Sequence, residues 1–187
     1  MTALSTGYEY CVQSPTTDTA ARPDAGPDHE AARSALAECV GELAGERGLT
    51  VAVAESLTGG MIAQALALAT GSGEWFRGSL VAYHSTVKHE VLDVPPGPVV
   101  SAEAAAVMAS SVRRLLGADV AVAVTGAGGP SPQDGRDPGT VFLAVDAYGA
   151  HRSARLEILD EEPSQVCETT AATALRMLIQ LLEQLPR

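Results

Sequence analysis

The sequence predicts an α/β fold whose five strands form a mostly parallel, mixed sheet. Short apolar runs of strand length alternate with longer helical patterns, which is typical of parallel strands joined by helical crossovers. The run over residues 120–124 is apolar throughout, as in a strand that helices cover on both faces. A Tyr148-Gly149 turn lies between the last two strands, so we expect them to pair as an antiparallel hairpin.

Each helix and strand follows from apolar spacing and from the residues that end it. Apolar residues recur at helical spacing after Asp28, and Gly48 ends that helix. Ser101 is a residue type that caps helices, and Glu103 lies in the first turn of the helix it would begin. In chain order we predict a helix to 48, a strand to 54, a helix over 59–69, a strand over 78–84, a short helix to 92, a helix over 101–116, strands over 118–125, 140–146 and 150–159, and a helix over 163–185.

Composition limits the classes of partner and compartment. The chain has 187 residues, of which 46% are hydrophobic, and this is enough for one domain with a buried core. The formal net charge of -11 argues against nucleic acid and anionic membranes as partners, because both bind basic surfaces. No apolar run reaches the ~18 residues of a membrane-spanning helix, and no signal peptide is evident, so we expect a cytoplasmic protein. The cysteines form no CxxC pair, so no metal site is predicted.

Residues 1–28 are predicted to be a separate N-terminal tail. They are rich in Thr, Ser, Pro, Asp and Gly and show no apolar period, which is typical of a disordered segment. The alternative is an arm that docks on a neighbouring subunit through Tyr8, Tyr10 and Val12. Residues 29–187 then form the globular domain. We expect a homo-oligomer, because closed homo-oligomers are common among soluble proteins.

Three polar clusters are predicted to meet at one edge of the sheet. Glu55-Ser56 ends the first strand, Tyr83-His84-Ser85 the second, and Thr125-Gly126 the third. Because helical crossovers make these strands parallel, their carboxyl ends lie on the same edge, where open α/β sheets bind ligands. This edge is the predicted functional site.

Ser56 and Lys88 are the residues expected to carry chemistry there. A serine hydroxyl on a strand-to-helix turn is a candidate nucleophile, and it needs a base. His84 is a less favoured base, because no carboxylate to orient it is evident. Lys88 is the only lysine among twelve Lys and Arg residues, and burial lowers a lysine pKa toward the range that suits a general base. The alternative is a surface lysine without a role.

Most of the other candidate residues have a structural alternative. Tyr83 relays a proton or orients Lys88, or else it caps the core at a strand end. Thr125 and nearby N–H groups stabilise an oxyanion. Thr58, Gly59 and Gly60 hold a phosphate at a helix start, or Thr58 only caps the helix. For Glu55 we favour a buried carboxylate that binds the turn backbone.

These residues, taken together, resemble the CinA C-terminal domain family over about residues 32–185. The matching motifs are Ala54-Glu55-Ser56-Leu57-Thr58-Gly59-Gly60, Tyr83 with Lys88, the run over 123–130 that ends in Gly128-Gly129-Pro130, and Pro138-Gly139-Thr140-Val141. The resemblance implies a three-layer α/β/α sandwich with nicotinamide-nucleotide amidase activity, which converts nicotinamide mononucleotide to nicotinate mononucleotide and ammonia without a metal or cofactor.

The resemblance also implies a role for each matching residue. Ser56 would attack the carboxamide carbon, Lys88 would be the base, and Tyr83 and Thr125 would assist. The substrate-binding residues would be Glu55, Thr58, Gly59, Gly60, Ser85, Gly126, Gly128, Gly129 and Thr140.

Two departures from the family pattern motivate other hypotheses. Ser85 stands where the family usually has asparagine, and the loop from Pro130 to Pro138 lacks the usual glycines and Lys-Pro. Asp134 and Asp137 in this loop would repel a phosphate unless they face away or Arg136 offsets them. A nucleotide-binding protein without catalytic activity is therefore the second hypothesis. A third is an interaction protein that recruits a partner through the N-terminal tail.

Overall fold

The computed structural model describes residues 28–148, 150–159 and 162–185. Six helices and five strands follow one another in this part of the chain, and the α/β prediction is confirmed. Apart from Asp28, the predicted tail over residues 1–28 lies outside the described residues. The elements are α1 (Asp28–Arg47), β1 (Val51–Glu55), α2 (Met61–Leu68), α3 (Ser72–Trp75), β2 (Phe76–Val81), α4 (Ser85–Glu90), α5 (Ala102–Leu116), β3 (Val120–Gly126), β4 (Thr140–Ala147), β5 (Ala150–Glu157) and α6 (Pro163–Gln184).

The sheet has the order β2-β1-β3-β4-β5. β1 is parallel to both β2 and β3, whereas β3–β4 and β4–β5 are antiparallel pairs. The chain moves from β1 to one side of the sheet to form β2, and then crosses to the other side to form β3. The carboxyl end of β1 therefore lies at a topological switch point, which is where open α/β sheets form a ligand crevice.

The two faces of the sheet carry different side chains because strand residues alternate in direction. Valines such as Val53 and Val122 pack with helices α1, α2, α3 and α6. Alanines such as Ala54 and Ala123 lie on the opposite face, where they pack with Met108 of α5. The small side chains on this face let α5 approach the sheet closely. The result is the expected three-layer α/β/α sandwich.

Local sequence signals set the helix ends near the site. Ser101 Oγ accepts the Ala104 N–H at 3.1 Å and caps α5, as predicted. Gly117 ends α5 in the left-handed conformation, with φ of 61°. Pro163 lies in the first turn of α6, where its missing N–H costs nothing.

The structure corrects two boundaries. Residues 72–75 form the short helix α3, which the sequence analysis did not predict. β2 ends at Val81, so Tyr83 and His84 follow the strand and do not belong to it. Among the described helices, none combines the length and the apolar character that crossing a membrane requires.

Candidate active site

Ser56 lies at the switch point, directly after β1. β1 and β3 pair in register, with Ala54 opposite Ala123, and Ser56 and Thr125 each lie two residues beyond this pair. Ala54 and Ala123 both face α5, so strand alternation directs Ser56 and Thr125 to that same face. Ser56 is 5% exposed, and its hydroxyl has no hydrogen-bond partner among the described residues.

The Glu55 side chain points to the other face and binds the start of α2. It is fully buried, and Oε2 accepts the Thr58 hydroxyl at 2.7 Å, the Gly60 N–H at 3.1 Å and the Ile62 N–H at 3.2 Å. Oε1 accepts the Ala63 N–H at 2.8 Å. Glu55 is therefore a buried carboxylate that binds the turn backbone, as favoured from the sequence, and the Thr58 hydroxyl belongs to the same cap.

This carboxylate occupies the helix start that was predicted to hold a phosphate. Gly59 N–H donates to the Ser56 carbonyl at 3.0 Å, and the Gly60 N–H already binds Glu55. A phosphate that used the Gly60 amide would have to displace a buried, negatively charged side chain. Free backbone donors lie one turn earlier, since the N–H groups of Leu57 and Thr58 have no partner among the described residues.

Lys88 is fully buried on α4, which follows β2. His84 begins this helix and its Nδ1 accepts the Thr86 N–H at 3.2 Å. The Lys88 Nζ lies 3.5 Å from the carbonyl oxygen of Tyr83, and it forms no ion pair within the described part of the chain. Desolvation lowers the pKa of Lys88 below its usual 10.5, while the negative charge of Asp134 partly opposes this change. Because Lys88 is buried and forms no ion pair among the described residues, its environment favours the neutral amine over the ammonium.

A backbone hydrogen bond joins the segments that follow β1 and β2. The Ala82 N–H donates to the Glu55 carbonyl at 2.7 Å, so the segment after β2 lies beside the segment after β1. Tyr83 comes next in the chain, and its carbonyl receives Lys88. The predicted convergence of the first two strand ends is therefore seen in the structure.

Tyr83 and Ser85 contribute differently from their prediction. Tyr83 is 71% exposed, so its phenol does not cap the core, and the hydrogen bond to Lys88 is made by its backbone carbonyl. Ser85 is the first residue of α4 and is half-buried.

Thr125 is buried at the third strand end, but its proton is already used. Its Oγ1 donates to the Val99 carbonyl at 2.8 Å. The hydroxyl therefore remains an acceptor and cannot at the same time donate to an oxyanion. Thr140, at the start of β4, likewise donates to Glu157 at 3.2 Å.

The glycines after β3 differ in what they allow. A Cβ on Gly126 would lie 2.8 Å from the Thr140 carbonyl oxygen, so close strand packing alone requires glycine there. A Cβ on Gly128 would lie 3.4 Å from Leu57 Cβ, which places the Gly128 backbone beside the residue that follows Ser56. The N–H groups of Gly128 and Gly129 have no partner among the described residues.

Two residues near the site were not predicted to take part. Asp134 accepts the N–H groups of Val99 and Val100 and acts electrostatically on Lys88. The Asp-Gly pair at 134–135 signals a tight turn, but no sequence signal gives the turn's distant partners. Cys167 of α6 donates from Sγ to the Leu57 carbonyl at 3.1 Å, and burial raises the pKa of this thiol. No group of three metal-ligating side chains forms within the described ranges.

A family model and several curated proteins match this chain in sequence. The model of a family described as the CinA C-terminal domain matches residues 33–182. The chain is 40% identical over 109 residues to a competence-damage inducible protein of Bacillus cereus strain AH187, a match that covers 56% of this chain and 26% of that protein. It is 32% identical over 144 residues to the Bacillus subtilis strain 168 protein of the same name, covering 74% of this chain and 34% of the relative. The chain thus spans about a quarter to a third of the length of these curated relatives.

Solved structures share the fold. The competence/damage inducible protein CihA from Agrobacterium tumefaciens is 32% identical with a TM-score of 0.77, and the match covers 82% of this chain and 96% of that one. The competence damage-inducible protein A from Klebsiella pneumoniae is 28% identical with a TM-score of 0.78, covering 82% and 99% of the two chains.

Proposed function

Because the chain belongs to the CinA C-terminal domain family, we propose that it is an amidohydrolase that deamidates nicotinamide mononucleotide to nicotinate mononucleotide and ammonia. The names of the relatives describe competence and damage induction and give no reaction, so the proposal depends on the site. The observation that carries it is a fully buried lysine without an ion-pair partner among the described residues, at the same sheet edge as a serine whose hydroxyl is unpartnered there.

Lys88 is suited to act as the base for Ser56. Since desolvation lowers its pKa, a larger fraction of the amine is neutral near neutral pH than in an exposed lysine. A neutral amine accepts the serine proton, whereas arginine stays charged and cannot. A base matched to the working pH contributes about 10²–10⁴-fold to the rate.

The proposed reaction has two stages. Ser56 Oγ attacks the carboxamide carbon while Lys88 takes the hydroxyl proton, and the resulting ammonium returns that proton to the departing nitrogen as ammonia leaves. Water then attacks the serine ester with Lys88 again as base, which releases nicotinate mononucleotide and restores Ser56. The overall balance consumes one water and releases one ammonia.

Backbone groups are the proposed oxyanion donors. The residue after a nucleophile on a strand-to-helix turn commonly supplies one N–H to the oxyanion. The Leu57 N–H has no partner among the described residues, and the unpartnered Gly128 N–H belongs to the backbone beside Leu57. These two groups take the role that the sequence analysis gave to the Thr125 hydroxyl.

Arg136 is the cation proposed to face the phosphate of the substrate. Its guanidinium lies 5.7 Å from the ring centroid of Phe142, and Phe142 pairs with Thr125 across β3 and β4. Asp134 in the same loop is turned to the Val99 and Val100 amides. The loop can therefore place a positive charge near the site despite the net charge of -11.

Ammonia release tests the proposal. The wild-type chain is incubated with nicotinamide mononucleotide and ammonia is followed by a coupled assay. Ser56→Ala should lose at least about 10³-fold of the rate, because removing a nucleophile leaves only binding and electrostatic effects. Ser34→Ala, an exposed serine of α1, is the matched control and should keep the wild-type rate. An active Ser56→Ala protein would overturn the proposal.

A non-catalytic nucleotide-binding protein is the second candidate. The observation in its favour is that Thr125 and Glu55 already use their polar groups within the protein. This candidate predicts calorimetric binding of nicotinamide mononucleotide with no ammonia over hours, whereas the amidase predicts both.

A further inference from the structure

Two arginines from different elements lie beside one aromatic ring, next to the candidate active site. The guanidinium carbons of Arg136, in the loop after β3, and of Arg155, on β5, are each 5.7 Å from the centroid of the Phe142 ring. This is within the ~6 Å at which a cation interacts with an aromatic ring. Two positive charges are therefore held near the same ring, although like charges repel each other.

Strand pairing puts Arg155 and Phe142 on the same face of the sheet as Thr125. Thr125 is the partner of Phe142 across β3 and β4, and Phe142 is the partner of Arg155 across β4 and β5. The side chains of such partners share a face, and Phe142 packs with the core on the α5 side. β4 is two strands from β1, so its backbone lies roughly 10 Å from that of the strand which Ser56 follows.

Arg155 is held by polar contacts that begin in the core. The hydroxyl of buried Thr140 donates to Glu157 at 3.2 Å, and Glu157 forms an ion pair with Arg155. The Arg155 side chain stays 52% exposed, so an anion in solution can reach its guanidinium.

Arg136 is positioned by the turn that contains it. Gln133 and Arg136 exchange two backbone hydrogen bonds, at 3.1 and 2.9 Å. Between them, Asp134 accepts the Val99 and Val100 N–H groups at 2.6 and 3.0 Å, which fastens the turn to the segment before α5. The Arg136 side chain is thus presented from a loop that is anchored on both sides.

The carboxylates of these segments leave Arg136 without a partner of opposite charge. Glu157 pairs with Arg155, and Asp134 is turned to two backbone amides. Neither Arg136 nor Asp137 forms an ion pair within the residues that the structure describes. An anion bound between the two guanidiniums would relieve their repulsion.

We infer that Arg136, Phe142 and Arg155 form an anion subsite for the terminal phosphate of a nucleotide, and that Arg155 determines the preference for a phosphorylated ligand. This inference rests on the proposed function, since it places the phosphate of the substrate relative to Ser56. A phosphomonoester carries a charge of about −1.5 to −2 at neutral pH, which two guanidiniums match. A guanidinium has five N–H donors in a planar fork, so Arg155 can bind Glu157 and a phosphate at the same time.

Calorimetric titration with nicotinamide mononucleotide and with nicotinamide riboside, which lacks the phosphate, tests this inference. Arg155→Gln should weaken binding of the mononucleotide by about 10- to 100-fold, because hydrogen bonds between charged groups are lost. Its affinity for the riboside should stay at the wild-type value. Arg136→Gln should have the same selective effect from a different element.

Arg152→Gln is the matched control. Arg152 is exposed on the same strand, and it lies three residues before Arg155, so its side chain points to the opposite face. This variant removes one positive charge and should bind both ligands as the wild type does. An unchanged mononucleotide affinity in Arg155→Gln, an equal loss for both ligands, or an equal loss in Arg152→Gln would overturn the inference.

Ammonia release separates this inference from the proposed function. If the mononucleotide binds in a way that depends on Arg155 but no ammonia forms, the anion subsite stands and the amidase fails. If the wild type releases ammonia and Arg155→Gln leaves kcat/KM unchanged, the amidase stands and the subsite fails. A wild type that binds neither ligand contradicts both.

Discussion

The burial of Lys88 affects both its charge state and the stability of the fold. The sequence singles it out as the only lysine, and the structure places it fully inside the protein with a 3.5 Å contact to the Tyr83 carbonyl. A buried ammonium without an ion-pair partner destabilises the folded state, because its charge loses water. Because Lys88 does not stabilise the fold, a functional role is the more natural reason for a lysine at this buried position.

Replacing Lys88 with methionine should abolish activity and stabilise the fold at neutral pH. The folded pKa lies below the unfolded value of 10.5, so the unfolded chain binds the proton more readily and wild-type stability is lowest below the folded pKa. The stability gain of Lys88→Met should therefore be largest at low pH and vanish as pH rises above 10.5.

Urea unfolding at several pH values measures this difference. Arg176→Met, which removes an exposed cation from α6, is the control and should show no comparable pH-dependent gain. A Lys88→Met protein that is less stable than wild type at pH 7 would contradict the account of a costly buried amine.

Residue identity was easier to predict than residue role. Ser56, Lys88 and Thr125 were expected at the site, and the structure places all three at the predicted edge. The Tyr83 phenol and the Thr125 proton were expected to act there, but one is exposed and the other is bound to Val99. Their partners lie in distant segments, and composition or periodicity carries no information about such contacts.

At the scale of the elements, Glu55 joins β1 to α2. One carboxylate receives four donors, three of them backbone N–H groups at the start of the helix. This negative charge also complements the positive end of the α2 dipole. The turn that presents Ser56 is therefore fixed by the residue just before it.

Glu55→Gln should destabilise the protein by about 1–3 kcal/mol. The glutamine NH₂ group would replace one carboxylate oxygen, and it cannot accept the hydrogen bonds that this oxygen now receives. The measurement is the free energy of unfolding in urea. Glu42→Gln, at an exposed position of α1, should change it little. Equal stability of the Glu55→Gln protein and the wild type would mean that the cap contributes nothing.

Two glycines near the site have a positive φ, but only one of them also lacks space for a Cβ. Gly135 has a φ of 71° and open space where a Cβ would be, whereas Gly139 has a φ of 86° and a Cβ would lie 1.8 Å from the Ile158 carbonyl oxygen. Gly135→Ala should lose about 1–2 kcal/mol, the cost of a left-handed alanine. Gly139→Ala should lose more or fail to fold. Thermal unfolding measures both losses. Equal losses would show that the Gly139 backbone does not lie close to the Ile158 carbonyl.

The elements differed in how well the sequence predicted them. Long apolar runs with glycine ends, such as β3 and α5, were placed to within about two residues. α3 was missed because four residues between glycines are too short to show a helical period. The fold of the loop over residues 127–139 was not predicted, because Asp134 binds amides that lie 34 and 35 residues away.

At the scale of the whole molecule, the strand order creates the site. β1 lies between β2 and β3, so the carboxyl end of β1, which Ser56 follows, lies at the switch point where open α/β sheets bind ligands. The alanine-lined face then brings Thr125 and the α4–α5 layer to the same side. The central claim is that this topology makes Ser56 and Lys88 one catalytic unit.

A double-mutant cycle on ammonia release tests that claim most directly. The kcat/KM for nicotinamide mononucleotide is measured for wild type, Ser56→Ala, Lys88→Met and the double variant. Residues that act as a unit are strongly non-additive, so the double variant should be no slower than the slower single variant. Losses that multiply in the double variant, or a single variant that keeps the wild-type rate, would contradict the account.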